Sequence, residues 1–299
     1  MNYRHAFHAG NFADIVKHVI LSRALTYLQR KDKPIFVLDT HAGVGSYDLE
    51  SEQAARTGEA DDGIGRLWPH LADAPDAVGA LLAPFADAVK SQNAGDTPRF
   101  YPGSPALIAR MMRPQDRAVF YELHADDQAA LAARFGRAKR IRVNHMDGWQ
   151  ALRTLLPPPE RRGLAIIDPP FEARDEFDMM LDGLEAAVRR FATGTLLAWY
   201  PIKHEAAIAA FRTGLGQRFK GALLVETAVA APAADATFRG SGMAIINPPY
   251  TLASELETLL PWLMAGLARA TGLDGKRAVL IAADEAAGRA VLEAAPFFA

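Results

Sequence analysis

The sequence predicts an α/β fold in which helices alternate with the strands of a mostly parallel sheet. Three observations carry this. Short β-branched runs recur along the chain, helical periodicity separates the first five of them, and several runs end on or beside a carboxylate. Strands that alternate with helices imply right-handed crossovers, which set the strands side by side in one direction.

Asn11 supplies an N-cap for an amphipathic helix over residues 12–30, with Phe12, Ile15, Val16, Val19 and Ile20 at helical spacing. IFVLD (Ile35–Asp39) reads as a buried strand and runs directly into THAGVG (Thr40–Gly45). AVFYE (Ala118–Glu122), RIRVN (Arg140–Asn144), LAIID (Leu164–Asp168) and TLLAWY (Thr195–Tyr200) follow as further inner strands. GALLVET (Gly221–Thr227) and GMAIIN (Gly242–Asn247) bring the number to seven. Helical stretches such as Asp126–Phe135 and Asp178–Phe191 separate the inner strands. The connection Ala228–Ser241 has no helical pattern, so the last strand returns as a hairpin and runs antiparallel. About 80 residues separate the first two strands, far more than a simple crossover needs. The expectation is one domain over residues 1–299, with 48–100 inserted as a small helical subdomain. The segment from Gly272 onward has no assignment.

The chain has 299 residues, half of them hydrophobic and 23% charged, which is ordinary globular composition. No apolar run approaches the roughly 20 residues of a membrane span, and the N-terminus lacks a signal-peptide pattern, so a cytoplasmic protein is expected. The absence of cysteine excludes disulfides, thiolate metal sites and any Cys nucleophile, and so disfavours methyl transfer to C5 of a pyrimidine. Net charge is −2. Residues 48–100 hold ten acids and four bases, a local −6, which leaves +4 for the rest. That bias is compatible with a polyanionic partner.

Carboxylates recur where parallel strands end. Asp39 precedes the glycine loop that contains Gly43, Glu122 ends the second strand, Asp147 follows the third and Asp168 ends the fourth. Ligands of such sheets bind beyond the carboxyl ends of the strands, and glycines let backbone approach them closely. A carboxylate after the second strand suits a ribose diol, a feature that nicotinamide-dependent enzymes share.

Two near copies, IIDPPF (Ile166–Phe171) and IINPPY (Ile245–Tyr250), compete for the catalytic role. In the first, the carboxylate of Asp168 and a carbonyl held by Pro169 can accept both N–H bonds of an exocyclic base amine. Its lone pair is then less delocalised into the ring. Phe171 can stack on a base turned out of its helix, a contact worth roughly 1–3 kcal/mol. Asn247 ends the antiparallel strand and so falls at the opposite sheet edge, roughly 17–20 Å away. Asp168 is the catalytic candidate; Asn247 is structural and its prolines open a helix at Thr251 or Leu252. Lys17 and His18 flank the apolar stripe of the first helix, within reach of a carboxylate or solvated. Tyr3, Arg4 and His5 form a short mobile arm suited to stacking and phosphate contact. No acid–histidine spacing near His5 and His8 supports a metal. The cluster Arg134, Arg137, Lys139, Arg140 and Arg142 lies before the third strand, at the edge away from the carboxylates.

YRHAFHAGNFADIVKH, LDTHAGVGSYDL, RTGEADDGI, YPGSP, ELH, DGW, RRGLAIIDPPF, FATGT and WYP together resemble the bacterial large-subunit ribosomal RNA adenine-N6 methyltransferase J family, from Tyr3 to about Ala265. The resemblance implies a class I, Rossmann-like methyltransferase fold and S-adenosylmethionine (S-adenosyl-L-methionine) as donor. It also implies a 23S rRNA substrate with adenine 2030 as target. Apart from the resemblance, a monomer without a metal or a membrane partner is expected. It places His18, His41, Ser104, Glu122, Asp147 and Gly148 at the cofactor, Asp168 as catalytic acid and Tyr3 at the RNA. Phe171 stands where the family usually has tyrosine, so the ring is kept and the hydroxyl lost. Read without that resemblance, the residues leave several alternatives open. These are a DNA adenine or protein glutamine-N5 methyltransferase, a non-catalytic RNA-binding assembly factor and, despite the incomplete GxGxxG, a dehydrogenase.

Overall fold

The computed structural model describes residues 4–173, 175–229, 240–267, 276–282 and 289–293. In chain order the strands are β1 (Phe36–Asp39), β2 (Ser46–Asp48), β3 (Phe100–Pro102), β4 (Arg117–Glu122), β5 (Ile141–His145), β6 (Gly163–Ile167), β7 (Thr195–Ile202), β8 (Leu223–Ala228), β9 (Gly240–Ile246), β10 (Lys276–Ala282) and β11 (Arg289–Glu293). The helices are α1 (Phe12–Gln29), α2 (Glu52–Thr57), α3 (Asp76–Lys90), α4 (Ser104–Met111), α5 (Ala125–Phe135), α6 (Gly148–Thr154), α7 (Glu176–Arg190), α8 (Glu205–Arg218) and α9 (Leu252–Leu267).

The main sheet runs β11-β10-β8-β9-β7-β6-β1-β4-β5. β5, β4, β1, β6 and β7 are mutually parallel, whereas β9 lies antiparallel between β7 and β8. The seven strands expected from sequence therefore form the class I methyltransferase sheet, with its reversed last strand inserted one place inward. The tail adds β10 and β11 antiparallel beyond β8, which the sequence pattern left unassigned. Chain direction across the sheet reverses at β1, which pairs with β4 on one side and β6 on the other. A crevice opens at such a switch point, and the loop after β1 begins there.

Alternation along the strands feeds two cores. Val37 and Ile166 face α1, α3, α4, α5 and α9; Phe36, Leu38, Ala165 and Ile167 face α6, α7 and α8. Helix α1 departs from the amphipathic expectation. Asn11 caps it through Asp14 N–H as its sequence suggests, but Asp14, Lys17, His18, Ser22 and Arg23 are buried along with the apolar residues. The physical reason is the chain between β2 and β3. Its helix α3 packs on α1, α4 and α9 and places Val78, Leu82 and Phe85 in the same core, covering the face that a simple α/β domain would leave to water. Among the described residues no helix is long and apolar enough to cross a membrane.

Candidate functional site

The eight residues that the sequence places at a cofactor do converge. His18, His41, Gly43, Ser104, Glu122, Asp147, Gly148 and Asp168 line one cleft of about 260 Å³ at the carboxyl ends of β1, β4, β5 and β6. A smaller cavity of about 90 Å³ adjoins it, lined among others by His8, Asn11, Phe171, Trp199 and Lys203. Both cavities are bounded by His5, Lys17, Asp168 and Pro170. Asp168 therefore stands at the junction of two rooms.

Local geometry fixes each group. Glu122 at the end of β4 accepts from Gly43 N–H at 2.8 Å through one oxygen and from His124 N–H at 2.7 Å through the other. Each oxygen keeps a lone pair for a hydroxyl. Burial raises its pKa. Gly43 has φ +59°, and a Cβ there would lie 2.2 Å from the Tyr47 hydroxyl, so only glycine lets this loop close on the cleft. Asp147 caps α6 by accepting from Trp149 N–H at 2.9 Å. His41 is pushed down to about 4 by burial. Thr40 Oγ1 donates to Ile166 O at 3.1 Å, so the Thr40 oxygen accepts the His41 Nδ1–H at 2.9 Å. His41 Nε2 is then left as an acceptor. His18, pushed down to about 3 by burial, is hydrogen-bonded to the Tyr101 hydroxyl at 2.9 Å.

Asp39 is fully buried behind the loop, and its Oδ2 has no hydrogen-bond partner. Burial pushes its carboxyl up to about 7. A folded-state pKa above the unfolded value of 3.8 costs stability as pH rises through that interval. Asp39→Asn is expected to gain on the wild type, by an extra 2–3 kcal/mol or so between pH 5 and pH 8. Urea unfolding at the two pH values checks this; a difference independent of pH contradicts it.

The catalytic candidate has a partner that sequence did not reveal. Lys17 Nζ lies 2.5 Å from Asp168 Oδ2 and 2.7 Å from Asp14 Oδ1. Asp14 Oδ2 is in turn bonded to His5 Nε2 at 2.9 Å and to Gly10 N–H at 3.0 Å. Burial opposes charge on Lys17, but the two carboxylates prevail and raise its pKa well above the usual lysine value. Asp14 is held well below the carboxylate range despite its burial, by His5 and Lys17. Among the described residues Asp168 Oδ1 has no partner. The Asp14–Lys17 spacing of three was legible on α1, but Asp168 lies 151 residues away and no local signal joins them.

One expectation is corrected. Residues from Arg4 on are no mobile arm: Arg4 pairs with Asp126 at 3.1 Å and Asp127 at 2.9 Å, and His5–Phe7 form a short 3-10 turn. Tyr3 lies outside the described residues. Pro169 is buried and Pro170 is the ring that bounds both cavities. Phe171 lines the smaller cavity and already packs on Phe177 and Trp199, with ring centroids 4.9 and 6.0 Å away. Sequence reasoning also missed Leu123 and Met179, two exposed apolar side chains on the larger cleft. Placed beside Glu122, such side chains suit the faces of a nucleoside base. The five basic residues from Arg134 to Arg142 are exposed, and none of them lines either cavity.

Asn247 sits at the far edge, as the strand order requires. Its Nδ2 donates to Ala192 O and Gly194 O, each at 2.9 Å, and its φ of +51° is one that asparagine tolerates. Asn247→Ala is expected to cost about 2 kcal/mol of stability through lost hydrogen bonds and strain, while turnover stays nearly unchanged. Chemical denaturation beside a methyl-transfer assay separates the two effects.

A glycine loop that approaches the cleft closely and an acid with free lone pairs beside apolar walls fit a nucleoside carrying an amino acid. With this strand order they define a class I methyltransferase, whose cofactor is S-adenosylmethionine. The family model described as "Ribosomal RNA large subunit methyltransferase D, RlmJ" matches residues 32–279. The chain is also 40% identical over 265 residues to Ribosomal RNA large subunit methyltransferase J of Haemophilus influenzae, covering 88% of this chain and 92% of that one. It is 40% identical over 268 residues to the Escherichia coli protein of the same name, covering 89% and 94%. Protein LPL1258 of Legionella pneumophila superimposes with a TM-score of 0.78 at 37% identity, covering 84% of this chain and 91% of that one. The chain belongs to the ribosomal RNA large subunit methyltransferase J family.

Proposed function

We propose that this protein methylates the exocyclic N6 amine of an adenine in 23S rRNA, with the base turned out of its helix into the smaller cavity. The observation that carries this reading is the shared wall: Asp168, Lys17 and Pro170 bound both the cofactor cleft and a second cavity flanked by Phe171 and Trp199. A donor and a flat acceptor would meet there and nowhere else among the described cavities.

When bound, S-adenosylmethionine supplies an electrophilic methyl group on sulfur. Glu122, His41, Asp147 and Ser104 would hold and orient it, and Gly43 would let the loop approach. Phe171 and Trp199 line the pocket that would receive the base, and the ring of Phe171 would stack on it. Asp168 Oδ1 accepts one N–H of the amine, and the Pro169 carbonyl, in the rigid Pro-Pro step, accepts the other. Lys17 fixes the far oxygen of Asp168, so the carboxylate cannot swing. A methyl group held there would pass to the amine lone pair as its bond to sulfur broke, and the surplus proton on the alkylated nitrogen would pass to water. Positioning supplies most of the acceleration. Residues 48–100 belong to the same methyl-transfer domain as an insertion, and Arg4 anchors the arm that leads to the RNA.

Transfer of tritiated methyl from the donor into rRNA of cells lacking the gene tests the reading, followed by mapping of N6-methyladenine. Label in DNA or protein instead of rRNA contradicts it.

A further inference from the structure

The acidic insertion contains one carboxylate that grips the N-terminal segment rather than facing solvent. Glu59 accepts from Asn11 Nδ2 at 2.9 Å, and both its oxygens lie 3.0 Å from His8 Nδ1. Hydrogen bonds to His8 and Asn11 hold its pKa below the usual value against the opposing effect of burial. Two further contacts tie the same stretch down. The Thr57 hydroxyl donates to Phe7 O at 2.5 Å, and Ile64 N–H donates to Gly10 O at 2.8 Å. At Gly63 the backbones touch: a Cβ there would lie 2.0 Å from Gly10 O and 2.8 Å from Asn11 Cα.

We propose that Glu59 is a positioning residue for the RNA side of the reaction, acting through His8 and Asn11. The inference rests on the rRNA methyltransferase reading above. Chemistry links the contacts. A primary amide whose NH₂ donates to Glu59 must turn its carbonyl the other way, and there Asn11 Oδ1 accepts Asp14 N–H at 2.9 Å. That bond caps the helix that carries Asp14 and Lys17 to Asp168. His8 and Asn11 both line the smaller cavity and neither lines the cofactor cleft. Glu59 itself touches neither cavity. Both residues that Glu59 grips therefore belong to the base pocket, and its effect reaches the cofactor cleft only indirectly, through Lys17 and Asp168. It also gives the insertion a role that its negative charge permits, since a carboxylate suits an internal buckle and repels RNA as an outer clamp.

The test uses the full chain, an rRNA fragment containing the target and S-adenosylmethionine. Glu59→Ala is expected to raise KM for RNA about tenfold, the scale of one charge-assisted hydrogen bond. The Kd for S-adenosylmethionine, read by calorimetry, should stay within about twofold, since neither residue that Glu59 touches lines the cofactor cleft. Glu59→Gln keeps the volume and one acceptor oxygen, and should recover most of the loss. An unchanged KM for RNA in Glu59→Ala overturns the proposal. So does an equal weakening of RNA and cofactor, which would mark a general loss of structure. Absence of methyl transfer to RNA by the wild-type chain overturns the parent reading and this one together; an active wild type with an indifferent Glu59→Ala overturns this one alone.

Discussion

Asp168→Ala should lower kcat by about 10²–10⁴ while the protein remains folded, the range for a positioned acid–base group. The side chain is only partly buried, and its removal opens space between two existing cavities rather than inside the core. Stability should therefore change modestly, because Lys17 keeps Asp14 as a partner, and kcat carries the effect. Asp168→Asn offers a finer reading. An amide oxygen can still accept from the substrate amine, but the amide NH₂ would then face the Lys17 ammonium. Steady-state kinetics with saturating donor separate these cases. Wild-type turnover in Asp168→Ala would remove Asp168 from the reaction.

Lys17→Met should be the most destabilising single change at the site. The Lys17 ammonium neutralises two carboxylates, and Asp14 beside it is almost wholly buried. Loss of one partner from a buried ion pair leaves an uncompensated charge, at a cost of about 3–5 kcal/mol. Turnover should fall as well, because a carboxylate misplaced by about 1 Å can lose on the order of 10²-fold in rate. Pairing Lys17→Met with Asp14→Asn relieves the orphaned charge, so the double variant should be more stable than Lys17→Met alone without regaining its rate. A double-mutant cycle by urea unfolding measures this coupling. A loss below about 1 kcal/mol for Lys17→Met would show that the network carries little energy.

The edge that carries the cleft was legible because parallel strands end where their acids are. Glu122 and Asp168 each follow a β-branched run, so one periodicity placed both the strands and the carboxylates. The choice of Asp168 over Asn247 followed from strand direction, which a connection without helical pattern implied. The Lys17–Asp168 pair was not legible, because it joins positions that meet only when α1 crosses the ends of the strands. The same holds for Glu59 with His8 and Asn11. The solvent-shielded character of α1 also escaped, since its covering comes from α3, more than 40 residues downstream. The tail was missed for a different reason: β10 and β11 only extend a sheet whose inner strands had been found by their alternation with helices.

The two added strands change the prospects of the region around β8. Without them β8 would be the outermost rung, presenting free amide and carbonyl groups to any extended peptide. Such margins invite mispairing between chains and the growth of insoluble assemblies. A protein shortened after Leu267 would keep every cleft residue named above yet expose that margin. Poor solubility in such a shortened enzyme would then reflect lost protection of a sheet border, with the methyl-transfer machinery intact.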